Sequence, residues 1–192
     1  MLSQLYLIRH GETAWSLSGQ HTGRTDIPLT PKGEKDALQL AKRLRAVHFT
    51  EVLSSPRVRA RQTCELAGFG SQLKIEADLA EWDYGDYEGL RSTEIRERQP
   101  GWNIYRDGCP HGELPVEVRD RADRLIVHLR TLSGNVAVFS HGHFGRVLAA
   151  RWIDVTLEEA ERFSLSPASV SILAYEHDDP AAPVIALWNE VR

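Results

Sequence analysis

An α/β fold, a three-layer sandwich with a largely parallel central sheet and helices on both faces, is predicted by three features of the sequence. The apolar run Leu5-Tyr6-Leu7-Ile8 stops at the polar turn Arg9-His10-Gly11. Val136-Ala137-Val138-Phe139 stops in the same way at Ser140-His141-Gly142. Short continuous apolar runs bounded by polar turns are the pattern of strands buried on both faces. Stretches of helical period lie between the strand-like ones, and that alternation calls for a parallel sheet covered by helices.

Taken in order, Thr30 is placed to cap a helix, Pro31 fits its first position, and Ala37, Leu40, Ala41 and Leu44 share its inner face. Val52-Leu53 leads into Ser54-Ser55-Pro56, a third strand end. Ser55 and Pro56 are expected to open the next helix, with Ala60, Thr63, Cys64 and Ala67 on one face and Gly68 as the stop. A longer helix is expected over 116–132 with Val118, Ala122, Leu125, Ile126 and Leu129 inward. After His141, an apolar stripe of Phe144, Val147, Leu148 and Trp152 predicts one more. Residues 169–175 and 184–188 read as strands joined by the turn His177-Asp178-Asp179-Pro180, a closing hairpin. Residues 90–115 carry Gly101, Gly108, Pro110, Gly112 and Pro115 after a short helix, and are expected to form a lid segment.

The 192 residues fit a single domain, 1–192, able to bury its own core. Hydrophobic residues at 42% and charged residues at 26% are ordinary for a globular chain. A net charge of -4 without a basic block argues against nucleic acid as a partner. Cys64 and Cys109 are too few for a disulfide framework or a four-cysteine zinc site, which suits a reducing compartment. The opening Met1-Leu2-Ser3-Gln4 lacks the pattern of a signal peptide, and no apolar run reaches the length of a membrane span. A cytoplasmic protein with no membrane partner is therefore expected. Oligomeric state has no signature in the sequence.

In sheets of this class the ligand crevice lies beyond the carboxyl ends of the strands. His10 and His141 fall there, and Arg59 falls in the first turn of the helix after the third strand end. Arginine is suited to bidentate recognition of phosphate, and helix starts after His10-Gly11 or His141-Gly142 would offer N–H groups to an anion. A neutral imidazole is a competent nucleophile toward phosphorus, and nearby positive charge keeps it neutral. The competing reading, His141-x-His143 as a metal pair, lacks a third ligand at helpful spacing, and Arg9 beside His10 would repel a cation. Neither a Walker A loop nor a G-x-G-x-x-G turn occurs, so no metal and no cofactor is expected. His21, His48, His111, His128 and His177 are read as solvated or locally bonded, while His143 admits either reading. Glu88 is read as fixing a loop through backbone hydrogen bonds. Trp82, Trp102, Trp152 and Trp188 are read as packing.

Four spaced motifs then carry a resemblance over most of the chain. They are Arg9-His10-Gly11-Glu12-Thr13, Ser54-Ser55-Pro56-x-x-Arg59-Ala60-x-Gln62-Thr63, Leu79-x-Glu81-x-x-x-Gly85-x-x-Glu88-Gly89, and Ser140-His141-Gly142. Together they resemble the histidine phosphatase superfamily, which includes cofactor-dependent phosphoglycerate mutases. The resemblance implies a phosphoglycerate mutase-like fold, His10 as the residue that becomes phosphorylated, and Glu81 as proton donor to the leaving oxygen and later base for water. It implies that Arg9, Arg59 and a protonated His141 hold the phosphoryl oxygens. Ser16 stands where family members often carry Asn. Thr22 and Gly23 fall where a hydroxyl and a backbone amide meet substrate, and Tyr84 matches an aromatic lining the site. The segment from Trp15 to Thr30 is similar to sugar bisphosphatases of the sedoheptulose bisphosphatase kind, and the mutases have a longer insertion where this chain has 90–115. Both differences favour hydrolysis of a small phosphorylated substrate, a sugar phosphate or bisphosphate. The alternatives are a phosphoglycerate mutase and a non-enzymatic phosphate-binding module. Against the module stand His10 and Glu81, since binding alone needs neither nucleophile nor acid.

Overall fold

The structure, a computed structural model, describes residues 4–191; residues 1–3, the opening read above as leaderless, lie outside the described residues. In chain order the elements are β1 (Gln4–Arg9), α1 (Ala14–Ser18), α2 (Pro31–Leu44), β2 (Phe49–Ser54), α3 (Val58–Cys64) and β3 (Leu73–Ile75). They continue with α4 (Ser92–Arg98), α5 (Ile104–Asp107), α6 (Pro115–Leu129), β4 (Asn135–Ser140), α7 (Gly142–Trp152), β5 (Val170–Tyr175) and β6 (Pro183–Glu190). The sheet order is β3-β2-β4-β1-β5-β6. β1 to β4 are mutually parallel, and β5 runs antiparallel to both β1 and β6. The expected α/β sandwich with a mostly parallel sheet is the observed one.

Strand alternation divides the core in two, because successive side chains point to opposite faces. Leu5, Leu7, Val136 and Val138 pack with the inner faces of α6 and α7, and Ile8, Ala137 and Phe139 pack with Leu40 and Leu44 of α2 and Cys64 of α3. All inward positions expected for α6 are buried, as is the α7 stripe. Trp82, Trp102 and Trp152 are buried in the same cluster. β5 and β6 form the expected hairpin.

α3 starts at Val58, not at Ser55-Pro56. The Ser55 N–H still donates to the Phe139 carbonyl at 2.9 Å, so strand pairing continues one residue past β2 and the helix begins after the turn. Residues 90–115 contain α4 and α5, and Ile95, Trp102, Ile104, Tyr105 and Cys109 are buried in the core shared with α6 and α7. The Trp102 indole N–H donates to the Gly108 carbonyl at 2.9 Å, tying that segment to itself.

The turn after β1 is pinned from three sides. His10 N–H donates to the Ser140 carbonyl at 2.9 Å, and Gly11 N–H to Thr63 Oγ1 at 3.0 Å. The start of α2 then closes over it. Thr30 caps α2 by accepting from Gly33 N–H at 3.0 Å, and its own N–H donates to the Glu12 carbonyl at 2.9 Å. Gly33 is obligatory at this approach: a Cβ there would lie 2.2 Å from the Glu12 carbonyl oxygen, a backbone atom that cannot yield cheaply. Gly33→Ala is therefore expected to destabilise the fold by about 2 kcal/mol or more. That corresponds to a melting temperature lower by roughly 4–8 °C for a chain of this size. A thermal melt superimposable on the parent's would show that the approach is not a constraint.

Candidate active site

His10 follows β1, His141 follows β4, and Ser55 follows β2, so the carboxyl ends of three parallel strands converge on one crevice. A cavity of about 210 Å³ opens there, lined by Arg9, His10, Glu81, Tyr84, Gly142 and Arg146, with Ser16, His21, Thr22, Ser92 and His143 around its edge. His10 and His141 stand with ring centroids 5.2 Å apart.

The tautomer of His10 follows from its partner. Nδ1 lies 2.7 Å from the Gly11 carbonyl oxygen, which can only accept, so Nδ1 carries the hydrogen and Nε2 of the neutral ring is a bare lone pair. Burial, then the Arg59 and Arg9 guanidinium groups, hold the imidazole well below its ordinary pKa. Arg9 is anchored by donating to the Leu165 carbonyl. Burial lowers its pKa to about 10, so it stays cationic at neutral pH. Gly142 lets it approach: a Cβ on residue 142 would sit 3.3 Å from the Arg9 guanidinium carbon.

Arg59 and His141 stand behind the cavity wall. Arg59 is fully buried; its Nε donates to His141 Nδ1 at 3.2 Å, and its terminal nitrogens donate to the carbonyls of Thr22 at 2.8 Å, Gly23 at 3.2 Å and Thr25 at 3.1 Å. Since guanidinium can only donate, His141 Nδ1 is unprotonated, and Nε2–H is left to donate to Ser55 Oγ at 2.7 Å. The structure thus has a neutral His141, where the family resemblance implies a protonated one. Burial and the charge of Arg59 keep its pKa well below the ordinary value. Both ring nitrogens of His141 therefore have hydrogen-bond partners within the protein.

Glu81 sits at the N-terminus of α7. Its Oε1 accepts from Trp82 N–H at 2.9 Å and Phe144 N–H at 2.8 Å, and its Oε2 from His143 N–H at 3.0 Å. Glu88 accepts from Gly23 N–H at 2.9 Å and Thr25 N–H at 3.0 Å, the loop-fixing role expected of it. The 22–25 loop is thereby held by Arg59 through its carbonyls and by Glu88 through its amides. Gly23 does not line the cavity, and its N–H is occupied by Glu88. Thr22 lines the cavity with its hydroxyl bonded to the Gln20 carbonyl at 3.2 Å. The Ser16 hydroxyl is drawn into the α1 cap, accepting from Thr13 N–H at 2.8 Å and donating to Thr13 O at 3.0 Å.

Sequence reasoning missed part of the wall. His21, expected to be solvated or locally bonded, is buried against Tyr84 with ring centroids 4.7 Å apart, and its ring partner Ser92 is distant in sequence. Burial and the Glu81 carboxylate push the Tyr84 hydroxyl well above its usual pKa, so it donates to His143 Nδ1 at 2.7 Å. Arg146 lies outside the four motifs. Its place four residues after Gly142 on α7 puts both on one helix face, a spacing that was legible.

The sequence model of the histidine phosphatase superfamily (branch 1) matches residues 5–190. The chain belongs to that superfamily. An acid phosphatase of Mycobacterium tuberculosis is 41% identical over 188 residues, covering 96% of this chain and 92% of that protein. Sedoheptulose 1,7-bisphosphatase of Saccharomyces cerevisiae is 36% identical over 185 residues, covering 80% of this chain and 68% of that protein. Among solved structures, an open reading frame product of Mycobacterium tuberculosis superimposes with a TM-score of 0.89 at 39% identity over 97% of each chain.

This histidine phosphatase-family site holds four histidines, His10, His21, His141 and His143, whose pKa values burial depresses, that of His21 to about 4. Folding therefore favours their neutral forms. Above about pH 6.5 they are neutral in both states and cost nothing. Below it the unfolded chain takes up protons that the native chain refuses, so stability falls with pH. The loss is up to about 1.4 kcal/mol per pH unit for each histidine, until its folded-state pKa is reached. The melting temperature is expected to drop between about pH 6.5 and about 4, and His21→Asn should make that slope shallower. An identical slope in the variant would remove His21 from the account.

Proposed function

We propose that the protein hydrolyses phosphomonoesters of small, sugar-like molecules through a covalent intermediate on Nε2 of His10. The observation that carries this reading is the Nδ1–H bond to Gly11, which leaves Nε2 as a nucleophile in a pocket with cationic walls. Nε2 attacks phosphorus as the bond to the leaving oxygen breaks. Glu81 supplies the proton that oxygen needs; Oε2, with one amide partner against two on Oε1, has the free lone pair to carry it. Water then attacks the phosphohistidine, gives its proton to Glu81, and releases phosphate and neutral His10. Arg9 and Arg146 are the arginines at the cavity surface, and Arg9 is the one next to His10 in sequence. Arg59 and His141 back it; the negative charge of a bound phosphoryl group favours protonation of His141 on Nδ1 during transfer, which requires the Arg59 Nε–H to turn away from that nitrogen. Ser16, Thr22, Tyr84 and Gly142 border the substrate, and Gly23 shapes the loop that Thr22 sits on.

The similarity to an acid phosphatase and a sugar bisphosphatase supports hydrolysis over phosphoryl transfer back to a second hydroxyl. We also propose that residues 1–192 act as one domain in the cytoplasm, without nucleic acid or a membrane as partner, residues 90–115 bounding the substrate entrance. In keeping with that, Cys64 and Cys109 are buried free thiols, and among the described residues no helix is long and apolar enough to cross a membrane.

Acid-stable trapping is unsuited to a phosphoramidate, so the test is rapid mixing with phosphorus-labelled sugar phosphate, an alkaline quench and peptide mapping. Label is expected on His10, with free phosphate as product and no interconversion of 2- and 3-phosphoglycerate. His10→Ala should lower kcat by about a thousandfold or more while still folding. Glu81→Gln should slow alkyl phosphates more than p-nitrophenyl phosphate, whose leaving group needs no proton. Label on another side chain, or on none, would overturn the mechanism.

A further inference from the structure

Glu81 stands on backbone that no strand or helix holds. After a single turn over Ala77–Leu79, residues 80–84 have no regular secondary structure, so their main-chain groups must find partners elsewhere. Side chains supply them. The Leu79 carbonyl accepts from the Ser140 hydroxyl at 2.8 Å, and the carbonyls of Asp78 and Ala80 accept from one nitrogen of Arg121 at 2.8 and 2.7 Å.

Arg121 lies on α6, outside the four motifs, with its side chain 11% exposed. Its other terminal nitrogen is 3.5 Å from the Glu81 carbonyl oxygen, and together with Nε it forms a two-pronged pair with the Glu113 carboxylate, 2.9 Å on each prong. The guanidinium is thus spent entirely on the segment that carries Glu81 and on Glu113. Glu113 returns to the same segment. Its Oε2 accepts from Asp83 N–H at 2.8 Å, its carbonyl accepts from the Trp82 indole N–H at 2.9 Å, and its N–H donates to the Asp83 carbonyl at 2.9 Å. The guanidinium carbon also lies 4.2 Å from the centre of the Phe144 ring, and Phe144 N–H is one of the donors to the Glu81 carboxylate. One cation therefore touches both the chain that bears the carboxyl group and the α7 start that receives it.

We infer that Arg121, paired with Glu113, is a positioning residue for Glu81: it sets the spacing between the 78–83 segment and the first turn of α7, and so aims Oε2 at the leaving oxygen. This deepens the phosphatase reading and rests on Glu81 being its acid. Proton transfer requires the carboxyl group within hydrogen-bond reach of that oxygen, and a displacement of about 1 Å is costly to the rate. Irregular backbone alone does not hold such a position. Lysine could not take the place of Arg121, because a single nitrogen cannot span two carbonyls and both oxygens of a carboxylate.

The test is the dependence on leaving group. Arg121→Met keeps an unbranched side chain against Phe144 and removes the donors. Its kcat/KM on glycerol phosphate is expected to fall by about tenfold to a hundredfold, with p-nitrophenyl phosphate, whose leaving group needs no proton, little changed. Arg121→Lys should recover part of the loss. Glu113→Gln, which keeps its size and loses the charge, should show the same pattern more weakly, and it carries the test if Arg121→Met does not fold. In a Glu81→Gln background Arg121→Met should add no further loss, since both would act through one carboxyl group. A readout without turnover is hydrogen exchange at the His143 amide, which donates to Glu81 Oε2 at 3.0 Å and is expected to exchange faster in Arg121→Met and in Glu113→Gln. Equal losses on both substrates, a further loss in the Glu81→Gln background, or unchanged exchange at His143 would overturn the proposal and leave the pair a support of the fold alone. Faster exchange at His143, together with a Glu81→Gln enzyme indifferent to the leaving group, would support the positioning and remove Glu81 as the acid.

Discussion

The hydrogen bond from Nδ1–H of His10 to the carbonyl of Gly11 decides which nitrogen faces the cavity, and the chain around it is built to keep that carbonyl in place. The turn is fixed to β4 through Ser140, to α3 through Thr63, and to α2 through the contact of Gly33 with Glu12. Each of these is a backbone or buried contact, so the carbonyl that orients the imidazole is held by the sheet and by two helices. The nucleophile's tautomer is thus a property of the packing, and the chemistry inherits the rigidity of the core.

The same rigidity makes the electrostatics possible. Arginines buried beside histidines would repel one another if all were charged, and the structure resolves this by keeping the histidines neutral. Arg59 is satisfied by three loop carbonyls and by His141, so a full charge is buried without an orphaned terminal nitrogen. That arrangement also orders the 22–25 loop, whose amides Glu88 takes from the other side. Loop order and positive potential therefore come from one side chain. A dianion entering such a site meets dipoles and charges already oriented, the condition under which they act most strongly on a transition state.

β1, β2, β4, β5, β6, α2, α6 and α7 are legible because their apolar pattern is clear or their ends are marked by caps and polar turns. α1, with five residues held by the Thr13 and Ser16 capping bonds, and β3, with three residues, are too short to show a period. The start of α3 was misplaced because Ser-Pro looks like a helix opening, whereas the Ser55 amide is still part of the sheet. At the site, residues next to strand ends were readable from position alone: Arg9, His10 and Gly142 lie where the crevice rule puts them. Motif spacing could not say whether Arg59 and His141 face the cavity or support its wall. That depends on which loop carbonyls a guanidinium finds. His21 and Ser92 come together only through the fold, joined by a contact of 3.2 Å across 71 residues of sequence.

The division between legible and illegible residues follows a division of labour. The reacting groups sit at strand ends or, as Glu81 does, against the first turn of α7, where main-chain hydrogen bonds position them. The outer wall is drawn from the loop at His21, from α4 at Ser92, from α5 at Tyr105 and from the second turn of α7 at Arg146. None of these four residues bonds to the turn that orients His10. A change among them can alter which leaving group is accepted without altering the tautomer of the nucleophile. Motifs shared across a superfamily therefore report the reaction, while the substrate is written in side chains that share no spacing and become neighbours only after folding.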